Sequence, residues 1–87
     1  MPAIGGEIDQ LNALKGTFDR EAGNVAELTS TIRGQLGNTY WVGPASDRFR
    51  QAWQGEFEPM LNKLQQALNE AGVEVARRAD ALVQAGS

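Results

Sequence analysis

From Ile4 onward apolar residues recur every seven positions, at Ile4, Leu11, Phe18, Val25 and Ile32, with Ile8, Ala22 and Leu36 on the neighbouring seam position. A seven-residue apolar repeat marks the face of a helix that packs lengthwise on another. The pattern therefore predicts a first helix over about residues 6–37. Leu14 and Leu28 broaden the stripe beyond what one neighbouring helix needs, which predicts contact with two. Lys15 and Thr29 fall on the seam and predict imperfect packing there. Arg33 places a cation near the negative helix end, and Gly37-Asn38 supplies residues that readily take the left-handed conformation closing a helix.

A second helix is predicted over about residues 44–84. Pro44 suits a first helical turn, where its missing N–H is not required, and Asp47 suits the positive dipole end. The connecting turn is then residues 38–43. From Phe57 the seam reads Phe57, Leu61, Leu64, Leu68, Ala71, Val75 and Leu82, broken where Arg78 falls on it. Upstream, Ala45, Phe49, Trp53 and Phe57 step by four. That change of phase is a stutter, and Pro59 removes one helical hydrogen bond and crowds the carbonyl of Gly55, so a kink is expected near Pro59. Phe49 and Trp53 fit the helix period and are expected in the core. The stripe Gly16, Gly23, Ser30 and Gly37 lies away from Leu11 and Phe18 and reads as a solvated face. Together these patterns describe an all-α fold with one domain over residues 1–87, an antiparallel helix-turn-helix hairpin.

Composition narrows the function. At 87 residues a lone core buries only roughly 60% of the unfolded chain's surface, so a hairpin of this size wants a partner. There is no cysteine and no histidine, which removes disulfides, Cys/His metal sites and imidazole bases. Glu56 and Glu58 sit on nearly opposite faces, and Ser30 and Ser46 have no base, so no catalytic constellation and no cofactor or metal site is expected. The net charge of −3, with eight basic residues scattered among eleven acids, disfavours nucleic acid. Arg77-Arg78 beside Asp80 reads as compensation of the C-terminal helix dipole. No apolar run approaches the roughly 20 residues that span a bilayer, and residues 1–6 lack the basic and apolar regions of a signal peptide. Export, if it occurs, is expected without a cleavable signal.

Between the helices stands Trp41-Val42-Gly43. A Trp-x-Gly turn joining two such helices, with Phe49 and Trp53 one turn apart on the second, resembles the WXG family of small early-secreted-antigen-like proteins exported by type VII secretion systems. The resemblance covers nearly the whole chain. It implies a hairpin that pairs antiparallel with a second hairpin into a four-helix bundle. It also implies recognition of Trp41 and Gly43 during export by the secretion ATPase. The dimer and hairpin core is expected from Leu11, Phe18, Val25, Ile32, Phe49, Trp53, Phe57, Leu61, Leu64, Leu68 and Val75. The partner is either a second copy of the chain or a paralogous WXG-type protein; action on a membrane and a plain helical scaffold are the alternative readings. The family's tail signal, a tyrosine followed four residues later by an acid, has no counterpart here. Its places fall near Val75 and Ala79, with Asp80 one beyond, and the only tyrosine is Tyr40 at the turn. The resemblance then leaves that signal to the partner or to a tail beyond residue 87.

Overall fold

A computed structural model describes residues 2–86, with side chains from residue 5 onward. Ile4, the first member of the apolar repeat, therefore lies outside the described side chains. Helix α1 runs Pro2–Asn38, α2 runs Pro44–Ala52, a π-helical turn occupies Trp53–Phe57, and α3 runs Glu58–Gly86. An ion pair joins Arg33 to Glu58 beside the turn and another joins Glu7 to Arg78 at the far end. The two arms are therefore antiparallel, and the hairpin is a rod of 64 × 17 × 13 Å.

The arms meet along a heptad seam. On α1 it is Ile8, Leu11, Lys15, Phe18, Ala22, Val25, Thr29, Ile32 and Leu36, all buried or half-buried. On α3 it is Glu58, Leu61, Gln65, Leu68, Gly72, Val75, Ala79 and Leu82. This corrects the seam read from sequence on the second arm. Phe57, Leu64 and Ala71 stand one position to the side, and Gly72 and Ala79 occupy the contact because small residues let the backbones approach. A Cβ on Gly72 would sit 3.7 Å from the Cβ of Phe18 and 2.8 Å from the Asp19 carboxylate, so a large residue on α1 fills the space that glycine leaves. Leu64, beside the seam residue Gln65, is 46% exposed.

Thr29 does not interrupt the packing. It is buried, and its hydroxyl donates to the carbonyl of Val25 at 2.8 Å, so the polar atom is satisfied within its own helix. Lys15 keeps its ammonium at the rim, paired with Asp19, while its stem lies on the seam. Two helices alone enclose little: Ala22, Trp53 and Ala79 are the only fully buried apolar residues among those described.

Just before Pro59, where a kink is expected from sequence, stands the π turn Trp53–Phe57. In a continuous α-helix, residues eight apart differ by about 80° around the axis; one extra residue in a turn sets the following chain back by about one residue's rotation and nearly cancels that angle. Phe57 thereby comes into line with Phe49, ring centroids 6.4 Å apart. Trp53, between them, turns inward and is buried. The turn ends at Phe57, two residues before Pro59, which lacks the N–H donor a regular α ladder needs.

Candidate functional site: the turn and the apolar flank

Gly43 has φ 119° and ψ 175°, the only positive φ among the described residues. That conformation is open essentially to glycine alone. It acts as the N-cap of α2, and its carbonyl accepts from the Asp47 N–H at 3.0 Å, the first bond of the new helix. The glycine of the Trp-x-Gly turn is therefore required by backbone geometry, since nothing crowds its α-carbon.

The turn is fastened by two residues that sequence reasoning had not assigned. Ser46 is the most buried side chain described; its hydroxyl donates to the Trp41 carbonyl at 2.8 Å and accepts from Arg50 Nε at 2.9 Å. The other guanidinium nitrogens of Arg50 donate to the carbonyls of Leu36 at 2.6 Å and Thr39 at 3.2 Å. A helix end leaves its last carbonyls without intrahelical donors. Arg50, reaching back from α2, supplies them, and Thr39 adds its hydroxyl to the Gln35 carbonyl. Spacing offered a partial clue: serine and arginine four residues apart share one helix face, but nothing in it showed that the face turns toward the end of α1.

Arg33, read from sequence as a dipole partner, instead donates from Nε to Glu58 Oε1 across the hairpin at 2.7 Å. The same carboxylate oxygen accepts from the Trp53 indole N–H at 3.2 Å. These groups border an open groove of about 390 Å³ between Arg33, Gly37, Arg50, Trp53 and Glu58. Its charged groups are already engaged with one another or with the backbone. Arg77 and Arg78, also assigned to a helix dipole, pair with Glu74 and Glu7. No cluster of acidic residues able to hold a metal occurs among the described residues.

Trp41 lies in the turn itself. It stands 41% exposed, its ring centroid 5.9 Å from that of Phe49, and Tyr40 beside it is almost fully exposed. Trp41, Phe49 and Phe57 thus form an aromatic ladder running from the turn onto α3. Beyond it the same side of the hairpin carries Leu64 and Met60 from α3 and Leu14 and Leu28 from α1, each between 42% and 63% exposed. The heptad places Glu7, Leu14 and Leu28 on one edge of α1 and Phe57, Leu64 and Arg78 on one edge of α3, and the Glu7–Arg78 pair shows that these edges adjoin. Of the expected core residues, Leu11, Phe18, Val25, Ile32, Leu61, Leu68 and Val75 lie on the hairpin seam and Trp53 is buried beside it. Phe49, Phe57 and Leu64 lie on the apolar flank.

A rod of two antiparallel arms joined by a glycine-dependent turn after an exposed tryptophan is the setting in which the comparison with known families is read. The WXG100 profile, proteins of 100 residues with WXG, matches residues 6–87. The chain belongs to the WXG100 family. Members of WXG100 are small helical secreted proteins that typically pair with WXG partners, and membership suggests, at the level of the family, a substrate of type VII secretion. No curated protein and no solved structure matches the chain. No helix among the described residues is long and apolar enough to cross a membrane.

Proposed function

We propose that this WXG100 chain is a type VII secretion substrate that leaves the cell as a dimeric helical bundle, without a cleavable signal, and acts as an effector or as the co-secreted chaperone of a partner. The observation that carries this reading is the apolar flank. Leu14, Leu28, Phe57, Met60 and Leu64 are 40–63% exposed on one side of the rod, a grouping of apolar residues of a kind that marks interaction surfaces. A second hairpin laid on that flank completes the core that two helices leave open. The turn supplies the other half of the reading. Ser46, itself held by Arg50, fixes the Trp41 carbonyl and leaves the Trp41 ring partly exposed and Tyr40 almost fully so at the turn, where a secretion ATPase can reach them.

The test is export from a cell carrying a type VII system, with the solution mass measured on the same variants. Wild type should be exported and dimeric, alone or with a co-expressed paralogue. Trp41→Ala should remain paired and lose export. Export of a Trp41→Ala chain at the wild-type level would remove the recognition role, and a monomer in every combination would remove the bundle.

A further inference from the structure

We infer that residues 23–34 of α1 are a strap that lifts off the second arm by itself, while the turn and the rest of the hairpin stay closed. The inference concerns the hairpin alone and stands whether or not the chain pairs.

The strap is made of residues that hold a helix poorly. Gly23, Asn24, Val25, Thr29, Ser30, Thr31, Ile32 and Gly34 are eight of its twelve residues, and all are weak helix formers, glycine the weakest after proline. Phe18 stands over Gly72 and Arg33 against Glu58, which sets residues 60–67 of α3 level with the strap. That stretch contains only Asn62 of the same class. The two sides of one contact therefore differ: α3 favours helix there on its own, and α1 takes it because α3 holds it. Packing gives no reason for the glycines. A Cβ on Gly23 or Gly34 would meet no atom within 4 Å, whereas the space at Gly72 is filled by Phe18 and Asp19.

The strap is also lightly fastened. Before it, Phe18 and Asp19 lie close over Gly72; after it, Arg50 donates to the Leu36 carbonyl at 2.6 Å. Within it, the one polar tie to the second arm among the described residues is Arg33 to Glu58, at the strap's far end, and Arg33 is more than half exposed. Asn24 and Thr29 bond back into α1, to Glu21 and to the Val25 carbonyl, and a threonine bonded in that way weakens its own helix slightly. The seam positions of the strap are Val25, Thr29 and Ile32, and the second arm sets Gln65 level with Val25, so two of the side chains meeting there are polar. Local opening occurs where weak helix and few apolar contacts coincide. Opening bares Val25, Ile32 and Leu61 while Ser46 and Arg50 keep the turn fastened, so the hairpin has a second state in which part of its seam is exposed.

The test is native-state hydrogen exchange of the full chain, read amide by amide, for wild type, the double variant Gly23→Ala with Gly34→Ala, and Gly16→Ala. Gly16 has the same open space around its α-carbon but lies outside the strap. In wild type, relative to unfolded-chain rates, residues 25–34 should exchange about tenfold or more faster than residues 11–20 and 61–82. The double variant should slow exchange in the strap by about tenfold or more, since each glycine-to-alanine change in a helix is worth about four- to fivefold. Gly16→Ala should leave the strap within about twofold of wild type. Equal protection along α1 overturns the strap. So does a Gly16→Ala chain that slows residues 25–34 as much as the double variant does, because the whole arm then opens as one piece. A double variant that exchanges at the wild-type rate overturns weak helix as the cause of opening. Circular dichroism and solution mass, recorded on each chain, keep a change of assembly from being read as a change in the strap.

Discussion

The two flanks of the hairpin are built from the same heptads and differ in what they present. One flank carries Asn12, Asp19 and Arg33 from α1 and Asn62 and Asn69 from α3, with Val73 and Val83 as its exposed apolar residues. The other carries Leu14, Leu28, Phe57 and Leu64 with the aromatic ladder beside them. On the polar flank the arms are tied to each other: Arg33 to Glu58, and Asp19 laid over the backbone at Gly72. On the apolar flank the Glu7–Arg78 pair at the open end is the one ion pair between the arms among the described residues. The difference teaches a division of labour, in which the polar flank and the turn hold the hairpin shut and the apolar flank is left for another molecule. Substitutions should therefore separate into those that melt the hairpin and those that only part it from its partner.

The largest effect is expected at Leu64. Leu64→Asp sets a charge in the centre of the apolar flank, and its burial without a counter-charge should raise the dimer dissociation constant by about 100-fold or more. Helicity at high concentration should survive, because Leu64 is not on the seam between the arms. Leu61, three residues earlier, is on that seam. Leu61→Asp should unfold the chain outright, so the two aspartates, read by light scattering and circular dichroism, tell the two surfaces apart.

That distinction was only partly legible in the sequence. The heptads of Leu11, Phe18, Val25 and Ile32 marked α1, and Trp41-Val42-Gly43 marked the turn. On the second arm two interleaved stripes share Leu61, Leu68, Val75 and Leu82, and sequence reasoning followed Phe57, Leu64 and Ala71 because they are the more hydrophobic set. The seam instead takes Gln65, Gly72 and Ala79, and at Gly72 and Ala79 the close approach of the two backbones selects small side chains. Ser46 and Arg50 were illegible for another reason. Their partners are backbone carbonyls of α1 and the turn, and a carbonyl has no letter in a sequence.

At the turn the next largest effect is expected. Gly43→Ala forces a Cβ into a conformation with φ 119°, which costs on the order of 1–3 kcal/mol. It should lower the melting temperature of the hairpin while leaving the stoichiometry of whatever still folds unchanged. Glu58→Gln acts in the same sense and more weakly. The side chain keeps an acceptor for the Trp53 indole but loses its charge opposite Arg33, and Arg33 is more than half exposed, so about 0.5–1 kcal/mol of folding stability is at stake. Thermal melts of the two variants under conditions where wild type is dimeric should rank them in that order. A Glu58→Gln chain that melts below Gly43→Ala would mean that the ion pair, and not the turn, is the principal fastening.

The smallest effect makes the sharpest control. Asn69 lies one residue along from Leu68 on the polar flank and is exposed. Asn69→Asp introduces the same charge as Leu64→Asp, about a turn and a half further along α3, on the opposite side of the rod. If the flanks differ as described, it should change stability by less than about 0.5 kcal/mol and leave the solution mass untouched. Because net charge shifts by the same amount in both variants, charge alone cannot account for a dimer lost in one and kept in the other, and circular dichroism reads out the larger loss of helix propensity at Leu64→Asp. A dimer lost in both would place the partner across the polar flank or around the whole rod, and the exposure of Leu14, Leu28 and Phe57 would then need another cause.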